Sequence, residues 1–92
     1  THLEAIEARF ASRRGALEAE VRTANRELAD AIAVSEGDSP QVQAAVDHFH
    51  VAMGDLQKAT IAHVFEMRSV LTPQQAQEFD RQVVGALLQD AG

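Results

Sequence analysis

Cysteine, tyrosine and tryptophan are all missing from the 92 residues. Without cysteine there can be no disulfide, thiolate zinc site, iron–sulfur cluster or cysteine nucleophile, and the redox compartment is left open. Lysine occurs once, at Lys58, and eight basic residues against fourteen acidic ones give a formal charge of −6. That charge repels phosphate backbones, so nucleic acid is not expected as a partner. No apolar run approaches the ~20 residues a membrane helix needs. The start shows no basic-then-apolar secretory signal, and the chain as given is expected to be soluble. A glycine-rich phosphate loop, a nucleophile elbow and an HExxH motif are likewise missing, which leaves no basis for an enzyme.

Glycine and proline are sparse, at five and two residues, while alanine, glutamate, glutamine and leucine dominate. These are good helix formers, and an all-α fold follows. The length fits one small domain over residues 1–92, with an elongated helical shape that buries little of its own surface. Apolar residues recur at Leu3, Ile6, Phe10, Leu17, Val21, Ala24, Leu28 and Ala31, in steps of three, four or seven, which predicts one helix over about 3–34. Gly15 is its only interior glycine, costing ~1 kcal/mol against alanine. Arg13 and Arg14 interrupt the stripe, but arginine stems can lie over apolar surface while their heads reach solvent or an acid. Ser35-Glu36-Gly37-Asp38-Ser39 breaks the pattern with turn formers, and Ser39-Pro40 reads as an N-cap with proline at the first helical position. A second helix over about 40–70 carries Val42, Val46, Phe49, Met53, Leu56, Thr60, His63, Met67 and Val70 on its expected seam. Thr72-Pro73 repeats the cap signal, and Ala76, Phe79, Val83 and Leu87 stripe a shorter third helix over about 73–90. Two long helices joined by a short turn predict an antiparallel hairpin.

His63 and Met67 stand at i and i+4 on the second helix, so an imidazole and a thioether project side by side and can meet one metal ion. Taken alone, the pair is more often ordinary packing. Hairpin geometry adds a third donor. With the turn between residues 34 and 40, facing residues have numbers summing to about 74, which sets Glu7 level with Met67 and within a turn of His63. Glu4 and Glu66 lie near the same end, where they could support the ligands. His48 and His50 flank Phe49 some 20 Å along the helix from His63 and read as surface residues. His2 sits near the site end at a fraying terminus, a poor position for a ligand. Thr60 reads as a packed threonine bonded back to its own helix rather than a nucleophile.

The string His63-Val64-Phe65-Glu66-Met67-Arg68, with Gly54 to Thr60 before it, closely resembles the periplasmic nickel and cobalt sensor family of CnrX type. Helix one agrees in Glu7 three residues before Phe10, in the Arg13-Arg14 pair, and in the run from Arg22 through Ala24-Asn25 to Ile32. The similarity spans most of residues 3–84. Leu71-Thr72-Pro73-Gln74-Gln75 is also similar to the LTxxQ motif of the wider group that includes the Spy, CpxP and ZraP-like periplasmic proteins.

The resemblance implies a helical-hairpin homodimer in the periplasm, held to the inner membrane by an anchor upstream of this chain and signalling through a membrane anti-sigma factor. It implies Glu7, His63 and Met67 as ligands of Ni²⁺ or Co²⁺, with Zn²⁺ or Cu²⁺ as alternatives. The family also uses two histidines, four apart, upstream of that glutamate. Only six residues precede Glu7 here, so weak binding is expected of the chain as given. The alternative reading is a Spy- or CpxP-like chaperone or stress modulator that works without ATP, for which the LTxxQ-like segment is the warrant and the three metal donors are superfluous.

Overall fold

The computed structural model describes residues 2–91, so Thr1 and Gly92, the ends of the domain expected over 1–92, lie outside the described residues. Three helices follow one another: α1 (His2–Val34), α2 (Pro40–Arg68) and α3 (Pro73–Ala91). No strand occurs among the described residues, and the fold is the all-α hairpin with a shorter third helix that the periodicity predicts.

Each helix boundary has a local cause. Ser39 takes an extended conformation and its hydroxyl accepts the Val42 N–H at 3.2 Å, with Pro40 directly behind it. This satisfies one of the orphan donors of the first turn. The turn before it is tied by Ser35 Oγ to Ser39 Oγ at 3.0 Å and by Gln43 Nε2 donating to Asp38 Oδ1 at 2.7 Å. Gly37, at φ 158°, supplies a backbone angle that L side chains rarely adopt. α2 stops two residues short of the expected end because its last turn tightens: Val70 N–H bonds to Met67 O at 3.2 Å and Leu71 N–H to Arg68 O at 3.1 Å. Ser69 Oγ donates to Glu66 O at 2.6 Å and holds that turn.

The Leu71-Thr72-Pro73-Gln74-Gln75 segment acquires a physical meaning here. Gln75 N–H donates to Thr72 Oγ1 at 3.2 Å while Thr72 N–H donates to Gln75 Oε1 at 3.0 Å. The threonine and the glutamine three residues later form a reciprocal capping box that starts α3. Thr72→Ala should therefore weaken α3 locally by about 1 kcal/mol. Faster amide exchange in α3, with the middle of α1 and α2 unchanged, is the expected reading; equal exchange in both would remove the cap from the account.

Extensive packing is confined to α1 against α2; α3 meets the hairpin sparsely, tethered by the Arg68–Asp80 ion pair at 3.1 Å. The molecule measures 56 × 29 × 13 Å, long and thin, because two helices touching along a line leave most of each surface in water. No large side chain is fully buried among the described residues.

The contact line is made of small residues. Ala24 is fully buried on α1, with Ile6 toward the open end, and Ala45, Ala52 and Ala59 form a seven-residue repeat on α2. Alanine lets the helix axes approach closely. Phe10, Leu17, Val21, Leu28 and Ala31 on α1, and Val42, Val46, Phe49, Leu56, His63 and Met67 on α2, flank this line half-buried. Leu3, Met53, Thr60 and Val70, expected on the seam, are exposed instead. Met53 and Thr60 each follow a buried alanine, and one residue turns the helix by about 100°, which carries them off the contact line. Thr60 does bond back to its helix, donating to Leu56 O at 2.9 Å, but it is not packed.

Candidate metal centre

Near the open end of the hairpin, two contacts define how α1 and α2 meet. The ring of Phe10 stacks face to face on His63, with centroids 3.9 Å apart and planes 7° from parallel. Arg9 Nη2 reaches Glu66 Oε1 at 3.0 Å. The numbers in these pairs sum to 73 and 75, so the register expected from the turn holds here. It sets Glu7 on α1 at the level of Met67 on α2, one turn beyond His63.

The three expected donors differ in setting. His63 is half-buried, one face covered by Phe10, and its ring nitrogens make no hydrogen bond among the described residues. Met67 is half-buried. Glu7 is exposed, without an ion pair or hydrogen bond to the described residues. No hydrogen bond or ion pair among the described residues ties the three together, and among the described residues no three histidine, aspartate or glutamate side chains are grouped to hold an ion. What exists is one uncommitted carboxylate, one uncommitted imidazole and one thioether within one helical turn of each other along the hairpin. Such a mixed oxygen, nitrogen and sulfur set suits borderline divalent ions. Glu66, considered above as a support for the ligands, is instead paired with Arg9.

Arg14, at one of the interruptions in the α1 stripe, lies over Phe10 with its guanidinium carbon 5.5 Å from the ring centroid, and reaches Glu18 at 3.6 Å. Its head meets an acid while its charge faces the ring. Phe10 thus meets both a histidine and an arginine.

The sequence reading missed the role of His48. It is not simply a surface residue: Nδ1 meets Glu27 Oε2 at 2.6 Å and Nε2 meets Glu20 Oε1 at 3.1 Å. Both glutamates belong to α1 and stand seven residues apart, so the ring bridges two turns of the opposite helix. The hydrogen bond that the ring donates to Glu27, then the one to Glu20, raises the His48 pKa above its ordinary 6.5. The glutamates occupy opposite ring nitrogens, so they cannot converge with His48 on one ion. The signal was available, since 48 and 27 sum to 75, the facing number of this hairpin. His50 makes an edge contact with Phe49, centroids 6.2 Å apart.

The His48 clamp has a pH consequence. A raised pKa in the folded state means the clamp's contribution is fully present below pH 6.5 and is lost as pH rises through the raised value. NMR titration of the His48 ring should give a midpoint above 6.5. Glu27→Gln should lower it more than Glu20→Gln does. A midpoint at or below 6.5 in the unsubstituted protein would contradict the clamp.

The sequence pattern of the heavy-metal resistance family matches residues 1–78. Over 85 residues the chain is 48% identical to the nickel and cobalt resistance protein CnrR of Cupriavidus metallidurans, covering 92% of this chain and 57% of that protein. The chain therefore spans a little over half the length of this relative. With its all-α hairpin, its histidine and methionine one turn apart and a family match over most of its length, the chain belongs to the heavy-metal resistance family.

Proposed function

We propose that this chain is a metal-sensing domain that binds Ni²⁺ or Co²⁺ through Glu7, His63 and Met67. The observation that carries the reading is the hairpin register, fixed by Phe10 on His63 and Arg9 on Glu66, by which Glu7 faces the level of Met67, one turn from His63. Family membership and the relative's nickel and cobalt resistance support the choice of metals. Zn²⁺ and Cu²⁺ suit the same donors less selectively. Bound there, the ion would supply a single positive centre that draws one α1 side chain and two α2 side chains together.

The chain's own residues can convert binding into a signal. A turn of the His63 ring toward Glu7 and Met67 breaks its stack on Phe10, and Phe10 lies beside the contact line of the two helices. Met67 is the weakest of the three donors, a soft ligand engaged or omitted according to coordination preference, and so the natural switch. The receiver would be a membrane anti-sigma factor, with the domain in the periplasm and an anchor in the longer protein. No described helix is long and apolar enough to cross a membrane. Equilibrium dialysis against Ni²⁺ should give one ion per chain. Glu7→Ala should weaken the binding, and a Glu7→Ala protein that retains full affinity would remove the carboxylate from the site.

The same reading takes the domain as a homodimer. α3 leaves Val84, Leu87 and Leu88 exposed, and a second groove on α2 is lined by Phe49, Met53 and Leu56 together with His50 and Gln57. Two unpartnered apolar surfaces on one short chain are commonly covered by a second copy. Light scattering at micromolar concentration should return twice the chain mass of 10.0 kDa; the single-chain mass would reject the dimer.

A further inference from the structure

We propose that the groove between α1 and α2 beside the metal centre is a docking site for an acidic amphipathic helix of a partner protein. Its floor is apolar, formed by Ile6, Phe10, Leu17, Ala59 and Ala62, and Arg13 and Lys58 stand on its two walls, one from each helix. These two cations have no ion pair or hydrogen bond among the described residues, in contrast to Arg9, which holds Glu66, and Arg14, which reaches Glu18. Four of the chain's eight basic residues, including its sole lysine, gather at this one place in a molecule of net charge −6. Asp55 also lines the groove and offsets one of the two free cations, leaving a local positive excess where the molecule as a whole is negative.

The length and chemistry specify the occupant. From Ile6 to Leu17 the floor runs roughly 16 Å at 1.5 Å per residue, about three helical turns. A helix presenting apolar residues at i, i+3, i+4 and i+7 fills such a floor, and carboxylates on its flanks meet Arg13 and Lys58. A second copy of this chain fits less well. Its exposed α3 helix carries two described carboxylates, Glu78 and Asp80, and these are already engaged by Arg81 and Arg68. The groove at Phe49 and Met53, which has no arginine, lysine or carboxylate in its lining, is the better match for α3. The inference does not depend on metal ligation, although His63 lines the same groove and its movement would alter the floor.

The probe is a fluorescein-labelled synthetic helix of about fifteen residues with leucine on one stripe and glutamate on both flanks, and a twin with glutamine replacing each glutamate. Fluorescence anisotropy at low salt, without metal, should show the acidic peptide binding and the twin binding roughly tenfold more weakly. Arg13→Gln with Lys58→Gln should reduce the acidic peptide to the level of its twin; both residues are exposed, and circular dichroism should confirm the fold. Amide shifts on binding should fall on Leu17, Ala59 and Ala62. Equal binding of the two peptides, no binding of either, or shifts confined to Phe49 and Met53 would each overturn the proposal.

Discussion

His63→Ala is expected to abolish the visible d–d absorption of Co²⁺ bound to the protein, whereas His48→Ala should leave it intact. With no cysteine in the chain, no thiolate charge-transfer band overlaps that spectrum. The reasoning is that His63 is the α2 imidazole within one turn of the level of Glu7 and Met67. Its nitrogens are uncommitted, so its removal leaves a carboxylate and a thioether, too few donors to hold the ion against water. His48 is occupied by Glu20 and Glu27 some 22 Å along the helix by the rise per residue. Losing it costs the clamp and not the metal. Met67→Leu keeps the volume at its half-buried position, a swap that usually costs below ~1.5 kcal/mol. It should bind nearly as well yet lose metal-dependent transcription in cells carrying the longer protein. Normal induction by nickel or cobalt in that variant would make Met67 a packing residue. A Spy-like chaperone would respond to neither change except through packing.

The largest stability effect is expected at Ala52. Its side chain is 2% exposed on the alanine line facing α1, where only a methyl group fits between the helix axes. Ala52→Leu must push the helices apart or force strained rotamers, at a cost of about 1–3 kcal/mol. For a domain of this size each kcal/mol lowers the melting temperature by about 4–8 °C. Thr60→Ala, on the exposed side, should stay within about 0.5 kcal/mol. The comparison is made at one protein concentration, because dimerisation would shift both melting curves. An Ala52→Leu protein as stable as Thr60→Ala would mean that α1 and α2 do not meet along the alanines.

That contrast marks where sequence reading succeeds and where it fails. Helix number, length and turns were legible because Ser39-Pro40 and Thr72-Pro73 carry cap chemistry and the apolar periodicity is long. The register was legible too, since a short turn between two long helices leaves little freedom in which residues face each other. The exact contact line on α2 was not. Large apolar residues dominate a periodicity argument, so Met53 and Thr60 took the place of Ala52 and Ala59, one residue and about 100° away. Small residues win at a close helix crossing because they admit the neighbouring backbone, a gain that hydropathy does not record. The His48 clamp stayed hidden for a similar reason: a single histidine carries no periodic signal, and its meaning lies in two glutamates on another helix. Glu7, His63 and Met67 were chosen from spacing, register and resemblance, and the exposed position of Glu7 leaves its approach to the other two to ligation itself.

The most direct measurement uses the two methionines the chain possesses, Met53 and Met67. Labelled with ¹³C at the ε-methyl, they give two NMR signals, one from the expected metal centre and one from a position 14 residues, or about 21 Å of helix, away. Added stepwise, Co²⁺ should broaden the Met67 methyl beyond detection while the Met53 methyl keeps its position and width, and His63→Ala should restore the Met67 signal. Equal broadening of both methyls, or a Met67 methyl that persists at saturating Co²⁺, would contradict a metal centre at Glu7, His63 and Met67.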